Sequence, residues 1–144
     1  MLQSVRPELA RRIVLEADAI QTKFPNRFSL SLNEQGRPCW TGSVPIEGRE
    51  FPVVLVYPSA YPALPPMMHT LFRLPPNCPH LLGRDGPLSR LCWIASNARG
   101  RRKWDPQRHT AATAMRAAQR WGLAFLVWQT TGRWPVPDAF ETLT

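Results

Sequence analysis

The stretch Tyr61-Pro62-Ala63-Leu64-Pro65-Pro66 constrains this chain more than any other feature, because it can be neither helix nor central strand. Proline holds φ near about −65° and carries no backbone donor, so a run this rich in it folds as an ordered, extended wall. Pro79-His80, Leu91-Cys92 and Trp104-Asp105-Pro106 follow in that order. Such a wall can hold a thiol at the surface. The 144 residues include sixteen prolines and six tryptophans, which fits one domain over residues 1–144 with long ordered loops braced by aromatic packing.

Either side of the wall the hydrophobic spacing assigns regular elements. Leu2, Val5, Leu9, Ile13, Ala17 and Ile20 recur at three- and four-residue steps, with Arg11, Arg12, Glu16 and Asp18 largely between them, so an amphipathic helix runs from Leu2 to Ile20. Phe24-Pro25-Asn26 ends it. Strands are expected at Arg27–Leu32, Arg37–Val44 and Glu50–Tyr57, joined by turns at Asn33-Glu34-Gln35-Gly36 and Glu47-Gly48. Val53-Val54-Leu55-Val56 marks the third as a buried central strand. Met68–Arg73 supplies a short fourth strand, and Leu74–Lys103 then reads as a long irregular loop that holds the chemically rich residues. A last helix begins at Asp105-Pro106, carries closely spaced alanines followed by Trp121, Phe125 and Trp128, and stops at Gly132.

Composition narrows the function classes. The formal charge of +8 comes from sixteen arginines and two lysines against ten acids, which favours an acidic partner. Its most local expression is Arg99-Gly100-Arg101-Arg102-Lys103, but no nucleic-acid-reading motif surrounds that run, so nucleic acid is not expected as a partner. The chain shows neither a signal pattern nor an apolar run approaching the roughly 18 residues of a membrane span, so a cytoplasmic protein with no membrane partner is expected. Three cysteines at irregular positions, Cys39, Cys78 and Cys92, make no secreted disulfide framework, and at least one thiol is free.

Helix, antiparallel meander, proline turn, cysteine loop and helix, in that order, resemble the ubiquitin-conjugating enzyme (UBC) family over nearly the whole chain. Trp40-Thr41-Gly42 is similar to that family's Trp-x-Gly, and Tyr57-Pro58 with Tyr61-Pro62 and Pro65-Pro66 to its strand-end proline signature. Leu91-Cys92 is similar to its active-site Leu-Cys, and Trp104-Asp105-Pro106 to the Trp-x-Pro that opens the next helix. The Trp-rich C-terminal helix ending in Thr131-Gly132-Arg133-Trp134-Pro135 resembles the prokaryotic branch found in CBASS-type anti-phage operons. The resemblance implies an α+β fold of UBC type, with an N-terminal helix, a four-stranded antiparallel meander, a long active-site loop and a C-terminal helix. Of the family's His-Pro-Asn only His80 carries over, since Leu81-Leu82 follows it.

The same resemblance implies the chemistry. Cys92 is the expected nucleophile, carrying the C-terminus of another protein as a thioester and passing it to an acceptor. Arg90, Arg99, Arg101, Arg102 and Lys103 are placed in sequence to stabilise its thiolate. His80 either braces the loop through backbone hydrogen bonds or acts as a base. Asn77 and Asn97 are the available amides for an oxyanion, and Asp85 or Asp105 the acids that could steer an amine, with loop capping the plainer role for each. The site residues so assigned are Cys92, His80, Asn77 and Asp105. Cys39 is expected in the core, Cys78 is the second-choice thiol and His109 a packing or surface residue. No cofactor or metal is expected, because Cys78-x-His80 with Cys92 and either His69 or His109 fits no common zinc spacing. A Cys-His hydrolase lacks an evident oxyanion-hole motif. The implied partners are an activating-enzyme-like protein and, as cargo, a ubiquitin-like protein or a cyclic-nucleotide-synthesising nucleotidyltransferase. The alternative function is a catalytically inactive binding or scaffold module of the same fold.

Overall fold

The computed structural model describes residues 5–95, 103–136 and 139–140. The basic residues Arg99, Arg101 and Arg102, together with Asn97, lie outside them. Helix α1 (Pro7–Lys23) has proline in its first turn, where a missing N–H costs nothing, and buries Leu9, Ile13, Glu16 and Ile20. It ends where expected, with the Phe24 N–H on the Ile20 carbonyl just before Pro25.

Strands β1 (Phe28–Leu32), β2 (Pro38–Ile46), β3 (Arg49–Val56) and β4 (Met67–Thr70) follow as an antiparallel meander. Gly36, at φ 76°, closes the first hairpin, and Glu47-Gly48, at φ 50° and 74°, closes the second as a two-residue turn. Along β2 and β3 the side chains alternate between two faces. Trp40, Val44, Ile46, Phe51, Val53 and Leu55 join the main core, while Cys39, Val54 and Val56 form a smaller cluster with Met67 and Leu88. The interior position expected for the third strand is observed.

Among the described residues the sheet has six strands in the order β1-β2-β3-β4-β6-β5, not the expected four. Strands β5 (Leu81–Asp85) and β6 (Leu88–Leu91) form a hairpin inside the segment expected to be irregular, with β6 paired to β4. Gly83, at φ 141°, falls where the register shifts, and β5 is largely exposed. A strand this short and exposed, broken by a bulge, shows no apolar alternation to read.

Helix α2 (Ala111–Thr131) starts later than Asp105-Pro106 suggests. Residues 105–109 instead make one separate turn, in which the Asp105 carbonyl accepts the N–H groups of Arg108 and His109 and its carboxylate accepts that of Gln107. Thr110 is the true cap, accepting from Ala112 N–H while Thr113 accepts the Thr110 N–H. With threonine in place of Glu or Gln at the third position, the usual capping signature is absent. Gly132, at φ 77°, terminates α2 as expected. The helix lies close to the sheet at Gly122, where an added Cβ would come within 2.2 Å of Ile46 Cδ1. Among the described residues no helix is long and apolar enough to cross a membrane.

One buried carboxylate joins these layers. Glu16 is 2% exposed and accepts from Tyr57 Oη at 2.7 Å, from Tyr61 Oη, from Arg12 Nε at 2.8 Å and from the Ala111 N–H at 3.2 Å. Burial, followed by the nearby Glu16 charge, pushes both phenol pKa values upward, so the two tyrosines stay neutral donors. Burial works against the Arg12 charge, yet its interactions with Tyr61 and Glu16 together raise its pKa.

Glu16→Ala leaves Arg12 and two phenols without their shared acceptor and is expected to cost about 3 kcal/mol or more, read as a lower urea midpoint. Gly42→Ala is expected to destabilise similarly, because its Cβ would sit 1.9 Å from the Arg27 carbonyl oxygen. Glu34→Ala, at an exposed turn, is the control and is expected to change stability by less than about 0.5 kcal/mol.

Candidate functional site

The proline wall is pinned at both ends by indoles. Trp104 Nε1 donates to the Pro62 carbonyl at 2.8 Å, and Trp93 Nε1 donates to the Pro66 carbonyl at 3.2 Å. The Tyr61-Pro62 peptide bond is cis, and Tyr61 itself is tied to Glu16. Residues 59–63 turn and are not extended as expected, with the Tyr61 N–H on the Pro58 carbonyl at 3.0 Å and the Ala63 N–H on the Ala60 carbonyl at 2.8 Å, so turn hydrogen bonds and fixed proline φ angles together hold the wall.

Opposite this wall the chain leaves β6. Leu91 and Trp93 are 1% and 3% exposed, so both point inward, and Cys92 between them is partly exposed. The Cys92 N–H donates to the His80 carbonyl at 2.8 Å. Its sulfur lies 4.0 Å from the Ile94 carbonyl oxygen. Between wall and cysteine lies a cavity of about 470 Å³, lined by Leu64, Pro65, Pro66, Met67, Cys92 and Trp93 among others. Arg90 and Lys103 also line it, and no described acidic residue does. A mostly apolar groove with two cations at a partly open thiol suits an extended peptide bearing an apolar side chain and negative charge.

The other thiols are sealed. Cys78 is 6% exposed, donates to the Pro79 carbonyl at 3.3 Å, and burial pushes its pKa up to about 11. Cys39 is 4% exposed, in the smaller core cluster beside Ser31. Since the thiolate is the reacting form, burial makes Cys78 a poor nucleophile at neutral pH.

The remaining candidate residues divide by position. His80 adopts the left-handed backbone conformation, at φ 56°, and reaches Cys92 through its carbonyl, while its ring lies 4.9 Å from that of Trp134. Asn77 is exposed in the turn closed by Cys78 N–H on Pro75 O, and neither it nor Asp105 lines the cavity. Asp85 pairs with the buried His69 at 3.0 Å. His109 is buried against Trp104 and Phe140, and its Nδ1 accepts the Asp105 N–H, so it serves packing. Among the described residues no three His, Cys, Asp or Glu side chains gather in a metal-holding group. The sequence did not single out Leu64, Met67 or Trp93 as groove residues. For Trp93 the signal was its place two residues after Leu91, which puts it on the same inward side of an extended chain.

A family model described as Type II CBASS E2 protein matches residues 16–141. Comparison with curated proteins and with solved structures finds no match.

In the folded protein iodoacetamide is expected to modify Cys92 first, with Cys78 reacting appreciably only as the pH is raised toward about 11. Peptide mapping by mass spectrometry checks this order. Equal labelling of Cys78 and Cys92 at pH 7 would contradict the assignment of Cys92 as the open thiol.

Proposed function

This chain belongs to the Type II CBASS E2 protein family, and on that premise we propose that Cys92 carries a protein C-terminus as a thioester and hands it to an acceptor. Family membership gives the chain an E2-like role in anti-phage defence, working with other CBASS proteins. The observation that carries the finer reading is the contrast among its three thiols, two buried and the third partly exposed on an apolar groove.

The chemistry needs little from other side chains. An activating-enzyme-like protein presents the cargo with its C-terminal carbonyl already activated. The Cys92 thiolate attacks that carbon, a C–S bond forms, and the activating group leaves with the bonding electrons. An acceptor amine then attacks the same carbon and loses a proton to solvent, the C–S bond breaks, and the thiolate is released. The Cys92–His80 backbone hydrogen bond holds the sulfur at the groove, and positioning of this kind is a large share of catalysis in bimolecular transfer. Arg90 and Lys103 line the same groove and supply positive charge there, which favours the thiolate form. The cargo is the C-terminus of a ubiquitin-like protein or of a cyclic-nucleotide-synthesising nucleotidyltransferase.

The test incubates the chain with its CBASS partner proteins, ATP and each cargo in turn, followed by non-reducing gels. A thiol-sensitive adduct that Cys92→Ala abolishes and Cys78→Ala preserves is expected. An adduct that persists in Cys92→Ala would overturn the reading, and binding without any adduct would favour a scaffold role. Leu64 is 55% exposed on the groove, so Leu64→Asp is expected to keep the fold. It is expected to slow adduct formation roughly tenfold, as loss of one apolar contact region of about 1.5 kcal/mol would.

A further inference from the structure

Two residues that set the cysteine's backbone, His80 through a hydrogen bond and Trp93 as its chain neighbour, are each contacted by an aromatic residue from beyond α2. Trp134 lies three residues past the end of that helix, with its ring 4.9 Å from His80 and 5.2 Å from the fully buried Trp121. It therefore stands between a core side chain and the residue whose carbonyl takes the Cys92 N–H at 2.8 Å. Farther along, the Phe140 N–H donates to the Trp93 carbonyl at 3.0 Å, and the Phe140 ring packs edge-on against Trp93 at 5.7 Å. Phe140 is itself fully buried.

Without such a hold, His80 has reason to move. A residue other than glycine at φ 56° sits in a sparsely populated backbone region that surrounding contacts must maintain. The tilted stacking on Trp134 is one such contact, worth about the usual increment of an aromatic pair. If His80 relaxes, its carbonyl turns and the hydrogen bond that sets the Cys92 backbone is lost.

We propose that Trp134 acting on His80 and Phe140 acting on Trp93 are positioning residues for Cys92. Together they set where the thiol points and how far it opens to solvent. Their effect is defined on the thiol itself, so it can be tested whether or not the transfer reaction proposed above is correct.

The experiment measures iodoacetamide labelling of each cysteine at pH 7.5 in the full chain, wild type against Trp134→Ala, Trp134→Leu and Trp134→Phe. Trp134→Ala is expected to raise Cys92 labelling on the order of five-fold, the size of one lost aromatic contact, with Cys78 and Cys39 still protected. Trp134→Phe, which restores a ring, is expected to return the rate to within about two-fold of wild type. Trp134→Leu keeps apolar bulk against Trp121 but loses the stacking on His80, and it carries the comparison should the alanine variant fail to fold. Its expected behaviour is that of the alanine variant. Unchanged Cys92 labelling in a folded Trp134→Leu protein would overturn the proposal. So would a parallel rise at all three cysteines, which would mean that the segment only adds global stability.

Discussion

One buried carboxylate, that of Glu16, organises this fold. An isolated carboxylate inside a protein is costly, and the cost is offset only if hydrogen bonds and an opposite charge converge on it. Here Tyr57 at the end of β3, Tyr61 at the start of the proline wall, Arg12 one turn earlier in α1 and the first N–H of α2 all do so. The positive end of the α2 macrodipole adds to the same balance. Arg12 also reaches the His109 carbonyl at 2.7 Å, and Trp40 donates to Tyr57 Oη at 2.8 Å. One carboxylate thus sets the relation between both helices, the sheet and the wall, and the groove inherits its shape from that relation.

From this anchor the thiol environment follows by short steps. Tyr61 fixed on Glu16 starts the wall, and Trp104 and Trp93 hold its carbonyls at Pro62 and Pro66. Trp93 is the residue after Cys92, so the same indole that pins the wall also pins the cysteine's own strand end. Two buried neighbours, Leu91 and Trp93, leave Cys92 to face the cavity between them. Rigidity comes from imino acids and aromatic packing, so the groove is formed before anything enters it.

Much of this was legible in the chain and some was not, for identifiable reasons. The α1 stripe from Leu9 onward, both hairpin turns, the buried third strand and the Gly132 stop all rest on local spacing or backbone chemistry, and local rules read them correctly, although the helix begins at Pro7, past the Val5 expected inside it. Leu91-Cys92 and the proline wall were visible as motifs. Glu16 was grouped with the polar residues of α1, because periodicity sorts residues by polarity and has no sign for a carboxylate whose partners lie 41, 45 and 95 positions away. Strands β5 and β6 escaped because a bulge at Gly83 and exposed charged residues erase the alternation. The start of α2 was misplaced because Asp105 does cap a turn, but a single one. Trp134 and His80 lie in segments far apart in sequence, and only the folded chain joins them.

If the Cys92 sulfur takes up another protein's C-terminal carbonyl, an oxygen in its place is the most direct probe. Cys92→Ser protein incubated with its CBASS partners, ATP and cargo should yield an ester that survives reducing agent. Intact-mass measurement should give the sum of the two chains less one water, with tandem spectra locating the bond at position 92. Absence of that species, or a bond mapped to any other residue while wild-type protein forms its adduct, would contradict the account.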